Sequence, residues 1–327
     1  MHGVMGVRQG FNLLQPLKII GKAALKAANT AQAATKNIAS GVLLALAGSI
    51  AFSGKAIIVK LAYRYNVDAV TLLMLRMLLA LPFFVLMSWW ASRGKAALTR
   101  TQWLKIIFLG FSGYYLASFL DFAGLQYISA SLERLILYLN PTIVLVLGWL
   151  LWGKKITRNQ MVAFALSYAG VLLVFGHEAK LDGANVGLGT ALVFASAVSY
   201  ALYLSFSGEL VRQLGSLRLA GLATSVACFF CIAQFALLKP LNAAYVAPPV
   251  LWLSLLNATA CTVAPVLMVM MAIERLGAAK TAQIGMIGPM STIIMGVWLL
   301  GEPMNAWIVA GTILVLSGVY LVSRSKN

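Results

Sequence analysis

The sequence predicts an all-α integral membrane protein of ten transmembrane helices, built as two inverted five-helix repeats. Three observations predict this fold class. Apolar residues dominate the composition, apolar segments of helical membrane-spanning length follow one another along the chain, and the second half repeats features of the first after 148 positions.

Composition makes lipid the main solvent of this chain. Of its 327 residues 61% are apolar and only 10% are charged, and the mean hydropathy is +0.90. A soluble protein of this length needs far more charge to cover its surface. A membrane β-barrel would show alternating segments of about ten residues. Residues 71–91 and 135–152 show no such alternation, so the spans are predicted to be helices.

The chain contains ten apolar segments, each close in length to the roughly 20 residues that a helix needs to cross about 30 Å of hydrocarbon. The connections between them are short and carry glycine, proline, asparagine and charged residues. The predicted spans are 38–60, 69–91, 103–126, 130–152, 160–176, 186–207, 217–238, 250–273, 278–300 and 305–323.

Basic residues predict the orientation, because lysine and arginine concentrate on the cytoplasmic side of membrane proteins. With the N-terminus inside, the outer connections hold only four of the 25 basic residues: Lys60, Arg64, Lys180 and Lys239. Three more lie within spans, and the others lie in the inner segments. We therefore expect a multi-pass protein of the cytoplasmic (inner) membrane with both termini in the cytoplasm.

Glycine and proline positions reveal the repeat. An offset of 148 residues aligns 123–174 with 271–322 without a gap. It pairs Pro141 with Pro289, Gly153 with Gly301, and Gly170 with Gly318. Because each half has five predicted crossings, the two halves enter the bilayer from opposite sides. Inverted repeats of this kind are typical of alternating-access transporters, although channels also use them.

The predicted organisation is a basic cytoplasmic tail at 1–37, a first repeat at 38–176 and a second repeat at 186–323. Lys18, Lys22 and Lys26 recur every four residues in the tail. Two interpretations of the tail stay open. It is either partly disordered, or a basic amphipathic helix on an anionic leaflet.

Several motifs resemble the EamA-domain family of the drug/metabolite transporter superfamily. They are Leu75-Arg76, Gly-Leu-Gln-Tyr-Ile-Ser-Ala-Ser at 124–131, the mid-helix prolines, and the paired ends Leu-Leu-Trp-Gly-Lys (150–154) and Leu-Leu-Gly-Glu (299–302). Gly-Val-Leu-Leu (170–173) and Gly-Val-Tyr-Leu (318–321) add to them. Lys154 departs from the acidic residue usual there. Within the family the chain is most similar to the YddG-type amino-acid exporters, and this resemblance implies export.

Five ionisable residues lie inside the predicted spans, all in the outer half of the first repeat. They are Lys55, Arg76, Asp121, Glu133 and Arg134. Charges inside a membrane are costly unless they pair or face water. Lys55 and Asp121 lie at the same depth, so we expect them to pair. The cluster is either a set of salt bridges that clamps an outer gate, or a vestibule for the carboxylate and ammonium of a zwitterion.

Uncharged polar residues on several spans form a second candidate site. Tyr114, Ser118 and Asp121 share one helical face, and so do Ser196, Ser199, Tyr200 and Tyr203. The residues predicted to bind substrate are Ser49, Ser53, Tyr114, Ser118, Asp121, Tyr138, Asn140, Ser199, Tyr200, Tyr203, Asn257, Gln283 and Met286. Pro141 and Pro289 should kink their helices and free the carbonyls of Leu137 and Gly285 for another partner. Single residues of this kind often only join helices.

Other function classes find little support. The only histidines, His2 and His177, lie outside the spans, and Asp121 has no partner aspartate in another span, so no intramembrane hydrolase site is apparent. The net charge of +17 follows topology, and no nucleic-acid partner is expected. The three cysteines are predicted to be inert buried thiols, and no metal or cofactor is expected.

We predict a monomer or homodimer that binds a small-molecule substrate and lipid, and exports amphipathic metabolites, first of all neutral and aromatic amino acids. A passive channel, an exporter of drugs or sugars, and a scaffold or receptor remain alternatives.

Overall fold

The computed structural model describes residues 14–153, 155–182, 185–276, 278–285 and 287–324, and all regular structure within these ranges is helical. The helices are α1 (Leu14–Tyr63), α2 (Ala69–Ser92), α3 (Arg100–Gly124), α4 (Ala130–Trp152), α5 (Arg158–Asp182), α6 (Asn185–Leu214), α7 (Ser216–Leu238), α8 (Pro248–Leu276), α9a (Ala278–Gly285), α9b (Gly288–Leu300) and α10 (Ala306–Arg324). A break at Tyr138 and Leu139 divides α4 into α4a (Ala130–Leu137) and α4b (Asn140–Trp152).

The helices α1 to α8 contain stretches that are long and apolar enough to cross a membrane. The α9b and α10 helices are shorter and apolar, and lie where the ninth and tenth spans are predicted. The all-helical membrane fold is thus confirmed, whereas the count of ten crossings stays a prediction. Of the predicted tail, residues 1–13 lie outside the described part, and from Leu14 the backbone is already in α1.

Local sequence signals begin and end these helices. Asp68 accepts hydrogen bonds from the backbone of Val70 and Thr71 at the start of α2, and Thr99 and Gln102 form a capping box at the start of α3. Gly153 and Gly301 end α4 and α9b in the left-handed conformation, with φ of 63° and 73°. These two glycines are equivalent in the repeat, so both halves end their fourth span in the same way.

The two halves pack against each other through equivalent helix pairs. The α1 helix contacts α8, and the corresponding helices of the other half, α6 and α3, also contact each other. The remaining large interfaces, α2 with α7 and α5 with α10, each join a helix to its own counterpart. This pairing is the pattern that two repeats related by a pseudo-twofold axis predict.

Small residues allow α5 and α10 to approach closely. A Cβ atom on Gly170 would lie 2.6 Å from the carbonyl oxygen of Gly311, and one on Gly318 would lie 2.6 Å from that of Ala163. The offset of 148 relates Gly170 to Gly318 and Ala163 to Gly311. The same backbone contact is therefore made twice, and larger side chains at either glycine would separate the helices.

Polar contacts tie the connecting segments together on each side. On the predicted outer side the ties are Lys60 to the Ile128 carbonyl, Arg64 to the Leu300 carbonyl, and Lys239 to Asp68 at 3.3 Å. On the predicted inner side they are Arg218 to Ser92 and to the Ala96 carbonyl, and Lys105 to Glu209 at 3.0 Å. Alternate connections thus lie on opposite sides, as successive crossings require.

The first turn of α4a is held by two carboxylates from distant parts of the chain. Ser129 caps the helix and also bonds to Glu178 of α5. Glu302, just after α9b, accepts hydrogen bonds from the backbone of Ala130 at 2.7 Å and from the Ser131 hydroxyl at 2.8 Å. Carboxylates are favoured there because a helix N-terminus presents free N–H groups and a positive dipole. Lys154, the equivalent of Glu302, lies outside the described residues.

Candidate functional site

A cavity of about 390 Å³ lies in the middle of the bundle, between both halves. Its walls come from α1, α2, α3, α4, α6, α7 and α8, and most of the lining side chains are apolar or aromatic. The lining residues are Phe52, Lys55, Arg76, Met77, Phe84, Gly113, Tyr114, Ala117, Ser118, Asp121, Arg134, Leu137, Tyr138, Asn140, Ser196, Tyr200, Ala220, Thr224, Thr262, Pro265, Val266, Val269 and Met270.

Two π-helical segments shape opposite walls of the cavity. They are Gly110–Leu116 in α3 and Thr259–Val263 in α8. The second segment corresponds to residues 111–115 at the offset of 148, so the two segments are equivalent. A π turn widens the helix and re-aims the side chains within it, and such turns are frequent at functional sites. Here they place Tyr114 and Thr262 against the cavity.

The cluster of charges lies beside the cavity, with Lys55 at its centre. The Lys55 ammonium binds Asp121 Oδ2 at 2.5 Å and is 3.8 Å from Glu133 Oε1. Arg134 Nε is also 3.8 Å from Glu133, on its Oε2, and an Arg134 terminal nitrogen donates to the Ser53 carbonyl at 3.5 Å. The pairing of Lys55 with Asp121 is thus found where matched depth predicts it.

Arg76 enters the cavity from α2 with part of its guanidinium unpaired. Its Nε donates to the Thr262 hydroxyl at 3.0 Å, and the guanidinium carbon lies 5.3 Å from the centre of the Phe122 ring. The side chain is only 5% exposed, and its Nη1 has no hydrogen-bond partner among the described residues. Asp121 Oδ1 is likewise buried without a partner in the described part of the chain. Buried polar atoms normally have partners, so these two atoms have unused binding capacity.

Tyrosines of α3 and α6 form the aromatic part of the wall. The hydroxyl groups of Tyr114 and Tyr203 are 3.1 Å apart, and Tyr200 stacks on Tyr203 with ring centroids 5.5 Å apart. Two serines on the same side of α6 bond to α3 instead. Ser196 donates to the Ala117 carbonyl at 2.7 Å and Ser199 to the Ser112 carbonyl at 2.8 Å. These bonds satisfy carbonyls in and next to the π segment.

The break between α9a and α9b is bonded to two other spans. The Tyr138 hydroxyl donates to the Gly285 carbonyl at 2.9 Å, and the Ser53 hydroxyl donates to the Gly288 carbonyl at 2.9 Å. Gly285 is the residue whose carbonyl Pro289 is predicted to free. A neighbouring helix meets this carbonyl, so the kink is fixed by α1 and α4.

The model of one protein family matches both halves of the chain, at residues 39–176 and 187–324. That family is the EamA-like transporter family. The chain belongs to it. It is therefore a membrane transporter built from two repeats of this domain, and the resemblance seen in the sequence motifs is confirmed at the level of the family.

Relatives of this EamA-like transporter are known in bacteria and archaea. The uncharacterized transporter YcbK of Bacillus subtilis is 29% identical, with 89% of this chain and 94% of the relative covered. An uncharacterized transporter of Archaeoglobus fulgidus is 25% identical, with 89% and 99% covered. One solved crystal structure has a similar fold, with a TM-score of 0.59, 15% identity, and 87% and 98% covered.

The structure brings part of the predicted substrate site to the cavity. Tyr114, Ser118, Asp121, Tyr138, Asn140 and Tyr200 line it, together with Lys55, Arg76 and Arg134 of the charged cluster. Ser49, Ser53, Ser199, Tyr203, Asn257 and Glu133 are not among its lining residues. Ser199 and Ser53 bond to backbone carbonyls instead, and Asn257 offers its carbonyl to Thr262. The side chains of Gln283 and Met286 lie outside the described part.

Several lining residues have no counterpart in the sequence prediction. On α8 these are Thr262, Val266, Val269 and Met270, which share one helical face after the π segment. On other helices they include Phe52, Met77, Phe84 and Thr224. An apolar residue on a membrane helix can face lipid, another helix or a cavity, and the sequence looks the same in all three cases. One signal in the sequence was the offset of 148 residues, which relates Thr262 to Tyr114 and Thr224 to Arg76.

Cys228, Cys231 and Cys261 are free and buried, as predicted for inert thiols. Within the residues that the structure describes, no group of three His, Cys, Asp or Glu side chains could hold a metal ion.

Proposed function

We propose that this transporter exports small zwitterionic metabolites with an apolar side chain, foremost neutral amino acids including aromatic ones. One observation carries the proposal. Two buried atoms of opposite charge, Arg76 Nη1 and Asp121 Oδ1, both belong to cavity-lining residues and both lack a partner among the described residues. A substrate carboxylate would pair with the first and a substrate ammonium with the second.

The remaining lining suits the apolar part of such a substrate. Phe52, Tyr114 and Tyr200 supply aromatic surface, and Val266 and Met270 supply aliphatic and adaptable surface. A cavity of about 390 Å³ is at the small end of the range for ligand sites, roughly 300–1,000 Å³. This size favours a molecule comparable to an amino acid over a large drug.

We further propose transport by alternating access across the cytoplasmic membrane, with both termini in the cytoplasm. The equivalent π segments and helix pairs support this mechanism, because two equivalent halves can exchange conformations around a central site. The bias of basic residues supports the orientation. The direction of export comes from resemblance to the YddG-type exporters alone.

The test is transport by purified protein in liposomes. Labelled phenylalanine should enter with saturable kinetics and show counterflow. Counterflow is expected because the binding site of a carrier faces the two sides of the membrane in turn and so exchanges unlabelled for labelled substrate. Flux that rises linearly with concentration, without counterflow, would indicate a channel. Flux of sugars or drugs without flux of any amino acid would leave the family assignment unchanged and exclude amino acids as the substrate class.

Arg76→Gln makes the test specific to the site. It removes the charged donor for the substrate carboxylate, and losing one partner of a buried charge pair costs about 2 kcal/mol or more. Phenylalanine binding should weaken at least about thirtyfold. Arg93→Gln is the matched control, because Arg93 lies against the exposed Trp89 ring, away from the cavity. Equal binding by both variants would contradict the proposed site.

A further inference from the structure

The Lys55 ammonium lies near two buried carboxylates next to the cavity, but it is much closer to one than to the other. The Lys55 ammonium is 2.5 Å from Asp121 but 3.8 Å from Glu133. Glu133 is 0% exposed, and as a carboxylate it accepts no hydrogen bond among the described residues. The Asp121 carboxylate lies within hydrogen-bond reach, and Glu133 can bond to it only by carrying a proton and donating it. A buried carboxylate without hydrogen bonds is strongly disfavoured in its charged form.

The charges around Glu133 do not reverse this preference. Lys55 is already neutralised by Asp121, and that second carboxylate further opposes a negative charge on Glu133. Arg134, on the same helix, directs a terminal nitrogen to the Ser53 carbonyl, and its Nε stays 3.8 Å from Glu133 Oε2, beyond hydrogen-bond distance. With Lys55 bound to Asp121, these surroundings favour the neutral form of Glu133.

The other helices packed on α4a add no charge at this level. Glu178 of α5, Glu302 and Lys60 of α1 bind nearer the start of α4a, at residues 128–131. The α9b helix carries no charged residue. The charged residues of α6, Glu209 and Arg212, and the arginine of α10, Arg324, lie at the far ends of their helices.

We propose that Glu133 is the binding site of a coupling proton, which the zwitterionic substrate displaces through Lys55. This inference rests on the proposed function. The substrate ammonium binds Asp121 and weakens the hold of Asp121 on Lys55. A shift of about 1 Å then brings the Lys55 ammonium to hydrogen-bond distance of Glu133. Glu133 ionises, and its proton leaves to solvent past Asp121, which lines the cavity.

Charge and atoms balance in this exchange. One neutral zwitterion enters the site and one proton leaves it, while Lys55 keeps its charge and changes its partner. Substrate and proton therefore exclude each other from the site. A carrier with this property exchanges one proton for one substrate molecule, so an inward proton gradient drives export.

The proton on Glu133 is tested first, without substrate. The infrared spectrum of the detergent-solubilised full chain should contain a protonated-carboxyl band at neutral pH. This band should disappear in Glu133→Gln and remain in Glu209→Gln, because Glu209 is a half-exposed carboxylate paired with Lys105. A band that persists in Glu133→Gln would overturn the proposal.

The coupling is tested by phenylalanine binding as a function of pH. Because one proton leaves for each substrate bound, affinity should rise about tenfold per pH unit over the range in which the free protein holds the proton. Calorimetry in two buffers of different ionisation enthalpy should count one proton released. The pH dependence should vanish in Glu133→Gln and remain in Glu133→Asp and Glu209→Gln. If the Gln variant does not fold, the wild-type slope and proton count decide the question.

The failures are distinguishable. Phenylalanine binding that is independent of pH, with no proton released, would overturn the coupling and leave the zwitterion site intact. The absence of phenylalanine binding at any pH would overturn both.

Discussion

The two walls of the cavity follow the same backbone plan, but the wall from the first half carries the charges. At the offset of 148 residues Arg76 corresponds to Thr224 and Asp121 to Val269, and all four residues line the cavity. Tyr114 and Thr262 correspond as well, each in a π segment. The equivalent backbones therefore provide a symmetric frame, while the side chains make the site asymmetric. If the proposed function holds, a bound zwitterion should direct its charged head to the first half and its side chain to the second.

The largest effect is expected from breaking the charged wall at Asp121. Asp121→Asn removes the nearer carboxylate of Lys55 and leaves only the more distant Glu133, 3.8 Å away; breaking a buried ion pair from one side costs at most about 3–5 kcal/mol. The variant should unfold at a clearly lower temperature and lose transport. Adding Lys55→Met removes the stranded charge and should restore part of the stability. If the double variant is as unstable as the sum of the single ones, the two residues are not coupled.

A smaller effect is expected from the uncharged wall. Val266→Ala removes apolar surface worth about 1 kcal/mol in contact with a large side chain, so phenylalanine affinity should fall about fivefold. The affinity for alanine should change little, because its side chain is too short to reach this wall. Binding of both amino acids to the purified variant measures the difference. An equal loss for the two would place the side chain elsewhere.

The smallest effect is expected outside the cavity, at the tie between the connections α1–α2 and α7–α8. Partial burial of Asp68 opposes its ionisation, but hydrogen bonds from Thr71 and the ion pair with Lys239 outweigh it, so the pKa of Asp68 lies below its ordinary value. A lowered folded-state pKa stabilises the protein above the ordinary value of about 4, and this stability is lost as the pH falls through the folded-state pKa.

Because both partners of the ion pair are partly exposed to solvent, it should contribute less than about 1 kcal/mol. Thermal unfolding of Asp68→Asn against pH checks this expectation. The variant should be slightly less stable at neutral pH and should approach the wild type in acid. A constant difference at all pH values would assign the effect of Asp68 to its neutral helix-capping bonds.

The charged part of the site was predictable because charge inside a membrane is rare and must be compensated. Depth along the spans was enough to pair Lys55 with Asp121, and proline chemistry was enough to identify the Gly285 carbonyl, which Tyr138 meets. The repeat was predictable because Gly153 and Gly301 keep one backbone conformation for which glycine is suited.

The remainder of the site depends on tertiary structure. Ser199 and Tyr200 are neighbours on α6, yet the first bonds to an α3 carbonyl and the second lines the cavity. Each π segment changes which face of the helix the following residues occupy, and no residue type in the sequence predicts such a turn. Val266 and Met270 are ordinary apolar residues in the sequence and become cavity walls only when α8 packs against α1 and α2.

The orientation of the bound substrate tests the central claim most directly. A structure of the transporter with phenylalanine bound should place the carboxylate within hydrogen-bond distance of Arg76 Nη1, the ammonium next to Asp121, and the ring against Val266 and Val269. A substrate in the opposite orientation, with its ring against α2 and its carboxylate against α8, would contradict the assignment of charge recognition to the first half.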